Sequence, residues 1–95
     1  MRKGLKISMG PYTFRQRWVA GSLLEKSKSY SDLDLENRTI RLAEVCDHER
    51  AVENLIHELV EAANWEADLC LPHWKIQTMG LLLAQALKPL IRKWW

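Results

Sequence analysis

The sequence predicts an α+β fold, a small antiparallel β-sheet of about three strands followed by a helical hairpin. Apolar and polar residues alternate through "LKISMGPYTFRQRWV", residues 5–19, as they do in half-buried strands. From Asp47 onward the apolar period becomes that of a helix, and Pro72 then separates two helical stretches.

Leu5 and Ile7 supply the apolar side of a first strand, and Tyr12 and Phe14 that of a second, with Gly10-Pro11 as the turn between them. The polar segment "EKSKSYSDLDLENR" reads as a loop. Thr39, Ile40 and Leu42 suggest a third strand leaving a turn at Glu36-Asn37. Asp47 is placed to cap a helix running to about Ala67, with Glu49 in its first turn favourable to the helix dipole. "LCLP" breaks that helix, and Pro72 suits the first turn of a second one from His73 to about Leu87. Lys88-Pro89 is expected to kink or end it. The hairpin is expected to pack on the sheet.

Ninety-five residues make one domain, 1–95, with a single modest core. A net charge of +2, with both signs interspersed, gives no reason to expect nucleic acid, although "MRKGLK" and "IRKWW" are locally basic. No apolar run reaches the roughly 18–20 residues of a membrane span, and no apolar stretch follows the basic N-terminus as in a signal peptide. Cys46 and Cys70 do not make a disulfide framework, so free thiols in a reducing cytoplasm are expected.

The chemistry concentrates in "IHELVEAAN", residues 56–64. His57, Glu61, Asn64 and Asp68 fall on one helical stripe, opposite Leu55, Ile56, Leu59, Ala62 and Ala63. His57 and Glu61, one turn apart, have the spacing of two ligands to one metal ion. Glu58, about 100° away, stands where the base of a His-Glu-x-x-His site lies. A solvent-facing charged stripe fits the same pattern. In the second helix His73, Ile76, Gly80, Leu83, Leu87 and Leu90 form an apolar seam, so His73 faces the first helix. A tight hairpin centred near Leu69 would set Gln77 opposite Glu61. For His73 to join the set, the first helix must end early or the helices must cross. The alternative for His73 is a local hydrogen bond to the backbone at the helix start. His57, Glu61 and His73 together would be two imidazoles and a carboxylate, a normal complement for catalytic zinc.

The chain resembles the small zincin-like metallopeptidase domains of bacteriophage genomes, relatives of the ImmA/IrrE-type peptidases. The resemblance rests mainly on "HELVEAANWEADLCLPHWKI" (residues 57–76) and extends over most of the chain. It implies zinc as cofactor, a protein or peptide substrate, the cytoplasm of an infected or lysogenic bacterial host, and hydrolysis of a peptide bond by a metal-activated water. Members with the complete motif hold zinc by two histidines of the first helix and a glutamate of the second. Carried over, His57 is the first ligand and Glu58 the base. Glu61 stands where the second histidine would be, and Gln77 near the place of the acidic ligand, a neutral amide that binds zinc poorly. His73, one turn before Gln77, compensates if it reaches the metal.

Two altered ligand positions also suit a non-catalytic phage accessory protein that binds a host or viral protein. Cys46, His48, Cys70 and His73 offer a competing Cys2His2 set, with unorthodox spacing. Of the five tryptophans, Trp65 and Trp74 are expected to cover the helix junction. Trp94 and Trp95 are candidates for an interface anchor, or for a tail folded back on the sheet.

Overall fold

The structure is a computed structural model that describes residues 3–20 and 30–91. Trp94 and Trp95 lie outside the described residues. The α+β class holds, with β1 (Lys6–Met9), β2 (Tyr12–Val19), β3 (Ser31–Asp34) and β4 (Thr39–Ala43) followed by α1 (His48–Glu66) and α2 (His73–Ile91). The chain divides into two compact units, Met1–Cys46 with the strands and Asp47–Trp95 with the helices.

The sheet has four strands rather than three, in the order β1-β2-β4-β3, and it is mixed rather than antiparallel. β2 and β4 run parallel, while β1–β2 and β3–β4 are antiparallel. The extra strand, β3, comes from the segment read as a loop. Its sequence, Ser-Asp-Leu-Asp, holds one apolar residue and so carries almost no alternation signal. What makes it a strand is its partner. Leu33 pairs with Ile40, and Asp32 takes a two-pronged hydrogen bond from the guanidinium of its cross-strand neighbour Arg41. That pairing holds the Arg41 guanidinium above its usual pKa.

Met9 pairs with Tyr12, leaving Gly10-Pro11 as a two-residue hairpin loop. Gly10 has φ +58°, and proline fixes the next φ negative, the combination a type II′ turn requires. The β3–β4 loop closes through Asp34, whose carboxylate accepts from the backbone N of Asn37 (3.1 Å) and from its side-chain amide (2.8 Å). The side-chain bond is the larger reason that the Asp34 carboxyl titrates below the usual range. Arg38 ends this loop at φ +47°, with its guanidinium 4.5 Å from the centre of the Tyr12 ring.

Phe14, Gln16, Ile40 and Leu42 are buried, while Thr13, Arg15 and Arg17 alternate with them on the exposed face of β2. Gln16 bonds Leu5 twice, its backbone N donating to the Leu5 carbonyl (2.8 Å) and its Oε1 accepting from the Leu5 N (3.2 Å). Gly4 lies so close to this strand that a Cβ there would sit 2.1 Å from the Gln16 carbonyl oxygen. Gly4→Ala is therefore expected to push the first strand off β2 and lose roughly 1–3 kcal/mol, read as a lowered urea midpoint.

In the helical unit Asp47 caps α1 as expected, accepting from the backbone N of Arg50 at 2.8 Å. The far end of α1 is a Schellman motif that no glycine announces. Asp68 takes φ +51°, its N donates to the Trp65 carbonyl (3.2 Å), and Leu69 N donates to the Asn64 carbonyl (3.0 Å). Val52, Ile56 and Val60 of α1 meet Ile76 and Ala84 of α2, with Leu59, Leu71, Leu87 and Ile91 packed around them. α2 does not end at Lys88-Pro89 but continues through Pro89 to Ile91. Two contacts with the start of α1 hold its last turn: His48 Nε2 donates to the Ile91 carbonyl (3.2 Å), and Lys88 Nζ meets a Glu49 carboxylate oxygen at 2.7 Å. Pro89 removes one backbone donor and so costs a helical bond, which these contacts offset.

The seam of α2 is also rotated from the expected one. Ile76, Gly80 and Ala84 are buried, whereas Leu83 and Leu90 keep 42% and 76% of their surface exposed. The cause is Gly80. A Cβ there would lie 3.3 Å from the His57 Cα, so the bare glycine lets the backbones of the two helices meet at this point.

Candidate metal centre

His57 thus sits where the backbone of α2 at Gly80 comes close to α1. One turn on, Glu61 places a carboxylate oxygen 3.5 Å from His57 Nε2. The same oxygen, Glu61 Oε1, is 3.9 Å from His73 Nδ1. The two imidazole rings meet edge to face with their centres 5.9 Å apart. Glu61 therefore lies between both imidazoles. His57, Glu58 and Glu61 each offer a ligand atom within 4.8 Å of the others'.

His73 comes beside Glu61 without the first helix ending early, since α1 runs to Glu66, but it stands outside the three residues whose ligand atoms all lie within 4.8 Å of one another. The six-residue connection, 67–72, brings it there. Asn64 fastens that connection, its Oδ1 accepting from the backbone N of Leu71 at 2.8 Å. Leu71 packs on the core beside it, and the Pro72 carbonyl accepts from Lys75 N (3.0 Å) and Ile76 N (3.3 Å) to start α2. Asn64, read from the sequence only as a member of the His57 stripe, fixes the connection that leads to His73. Gln77 is exposed, and the neighbour that Glu61 acquires from α2 is His73.

Exposure is graded across the site. The side chains of His57 and Glu61 keep 27% and 32% of their surface, and that of His73 keeps 70%. Glu58 is buried, with 4% remaining. Sequence periodicity put Glu58 beside the exposed stripe. In the structure it joins Ala51, Leu55 and Ala62 on a buried stripe of α1. Trp65 and Trp74 do not cover the helix junction. Both are about two-thirds exposed, and Lys75 Nζ stands 5.5 Å from the Trp74 ring centre.

The distances decide what this arrangement suits. Separations of 3.5 and 3.9 Å are too long for hydrogen bonds between nitrogen and oxygen. The 3.5 Å between His57 and Glu61 matches the edge of a ligand tetrahedron, about 3.3–3.5 Å when nitrogen and oxygen lie at zinc-binding distance, while the 3.9 Å to His73 is wider. The wider gap involves the most exposed ring, which can turn at little cost. Imidazole nitrogens and carboxyl oxygens together make a donor set suited to a divalent cation. Imidazole and carboxylate are donors of the kind that zinc takes.

No protein-family profile, curated protein or solved structure matches this chain. The chemistry of the site therefore rests on its own geometry.

Among the described residues no cysteine belongs to a group of three or more potential metal ligands. Among the described residues, the group of three or more potential ligands is His57, Glu58 and Glu61. Cys46 is a buried thiol, and the exposed Cys70 Sγ donates to Asp68 Oδ1 at 3.6 Å. Among the described residues no helix is long and apolar enough to cross a membrane.

Proposed function

We propose that the chain binds one zinc ion through His57, Glu61 and His73 and hydrolyses a peptide bond. The carrying observation is the Glu61 carboxylate oxygen, 3.5 Å from a nitrogen of His57 and 3.9 Å from a nitrogen of His73 on the other helix. The resemblance to zincin-like phage domains supports the same reading and suggests a protein or peptide substrate.

Zinc, when bound, polarises a substrate carbonyl and acidifies a water. Glu58 is the group that takes the proton from that water and returns it to the leaving amine. Its carboxylate approaches the ligand atoms of His57 and Glu61 without lying on the exposed stripe. Burial limits its contact with bulk water and keeps it in one position. Asn64 keeps His73 in reach by tying down Leu71.

Metal analysis after purification in zinc-containing buffer is expected to give one equivalent per chain. Glu58→Gln is expected to retain that metal while losing hydrolysis of a denatured-protein substrate by about 100-fold or more. Zinc content below about a tenth of an equivalent, unchanged by titration, would remove the proposal. Full zinc occupancy with no cleavage by the wild type would instead favour the non-catalytic accessory protein.

A further inference from the structure

We infer that the polar face of the sheet, around Arg15 and Arg17 of β2, binds the phosphate backbone of duplex nucleic acid without regard to sequence. The zinc site plays no part in it. Whole-chain charge conceals this face, because the two units divide the charge unequally. Met1–Cys46 holds nine Lys and Arg against five Asp and Glu, a net +4, whereas Asp47–Trp95 holds five against seven, a net −2.

Strand register then gathers positive charge on one side of the sheet. Residues paired directly across strands share a face. Lys6, Arg15 and Thr39 therefore form one row, and Arg17 and Arg41 the next, on the side opposite buried Phe14 and Gln16. Both rows end in a carboxylate at the β3 edge, where Asp32 is bound to Arg41 and Asp34 to Asn37. Lys6, Arg15 and Arg17 are exposed and have no ion-pair partner among the described residues. The Lys6 and Arg15 β-carbons lie about 5 Å apart, as do those of Arg17 and Arg41, and Arg17 follows Arg15 by about 6.6 Å along the strand. Like charges placed so close cost stability, and a polyanion laid across them removes that cost.

The side chains around the cations decide which polyanion. Ser8 and Thr13, paired in the adjoining row, add two exposed hydroxyls. Arg, Lys, Ser and Thr are the side chains that take phosphate oxygens. None of the residues in these three rows is apolar or aromatic. A protein partner needs an apolar centre with aromatic anchors, and a membrane needs apolar side chains to insert. Interfaces with nucleic acid are the more polar and more positive kind. Without an aromatic ring in the rows for unpaired bases to stack on, the backbone of a duplex fits better than a single strand.

Fluorescence anisotropy of a labelled duplex of about 20 base pairs, titrated with the full chain, tests this. Three neutralised phosphates are expected to give a dissociation constant of about 10–100 µM at 50 mM salt, and binding about 40-fold weaker at 200 mM. Arg15→Gln with Arg17→Gln is expected to weaken binding about 30-fold or more, with the far-ultraviolet circular dichroism unchanged. Should that pair fail to fold, either substitution alone should lower the salt slope by about one. Arg50→Gln with Lys75→Gln removes the same charge from the helical unit and is expected to leave binding intact. An equal loss in that control overturns the inference, because net charge would then suffice. So does an unchanged anisotropy up to about 200 µM protein at 50 mM salt. Tighter binding to poly-glutamate or to phosphatidylserine vesicles than to the duplex also overturns it, in favour of an acidic protein or a membrane surface.

Discussion

Glu61→His is expected to keep zinc binding, whereas Glu61→Ala abolishes it. If Glu61 were there to pair with two protonated imidazoles, a third histidine would be the worst replacement available. If it is a ligand, histidine is among the best, because it restores the His-Glu-x-x-His spacing on α1 and leaves His73 as a third imidazole. The readout is thermal or urea unfolding with and without metal. Zinc at a hundredfold excess over its dissociation constant adds about 2.7 kcal/mol to the stability of a chain that binds it only when folded. That increment should persist in Glu61→His and vanish in Glu61→Ala. Without metal the alanine variant should stay within about 1 kcal/mol of wild type, since partly exposed charge pairs contribute little. A zinc increment that survives in Glu61→Ala would sink the assignment.

Gly80→Val is expected to destabilise the helical unit. Its branched side chain would enter space where even one Cβ lies 3.3 Å from the His57 Cα. The obstacle is backbone, which cannot turn aside as a side chain can. Overpacking of this kind costs roughly 1–3 kcal/mol, and the small gain in helix propensity over glycine recovers only a few tenths. For a chain of this size the melting temperature should fall by about 5–20 °C. Gly80→Ala is expected within about 1 kcal/mol of wild type, because a propensity gain of that order opposes a milder contact. Zinc affinity should fall further in the valine variant than in the alanine variant, since separating the helices moves His57 away from His73. Equal zinc affinity in both would show that the helix crossing does not set the site.

These two residues also mark how far local pattern reached. Glu61 stood out from the sequence because a 3.6-residue period alone puts it above His57. Glu58 did not show its burial, since its neighbours on the buried stripe, Ala51, Leu55 and Ala62, are spaced so that a carboxylate looks like the edge of a polar face. The strand β3 was invisible for a related reason: with two aspartates in four residues, its stability comes from Arg41 and Ile40 on another strand. The Schellman end of α1 was equally hidden. Its left-handed residue is Asp68, where glycine is the usual sign.

The sequence by itself determined the α+β order, the capped start of α1 at Asp47, the hairpin turn at Gly10-Pro11, and the shared face of His57 and Glu61. Each depends on neighbours within a turn or two of chain, where periodicity, capping and proline geometry act directly. Tertiary structure alone decided that β2 and β4 run parallel, that α2 continues past Pro89, and that Leu83 and Leu90 face outward. It also decided that His73 comes within 3.9 Å of Glu61. These depend on which backbones meet, and in the helical unit that is decided by Gly80, where a missing side chain allows two helices to approach and so selects the face that each presents to the other.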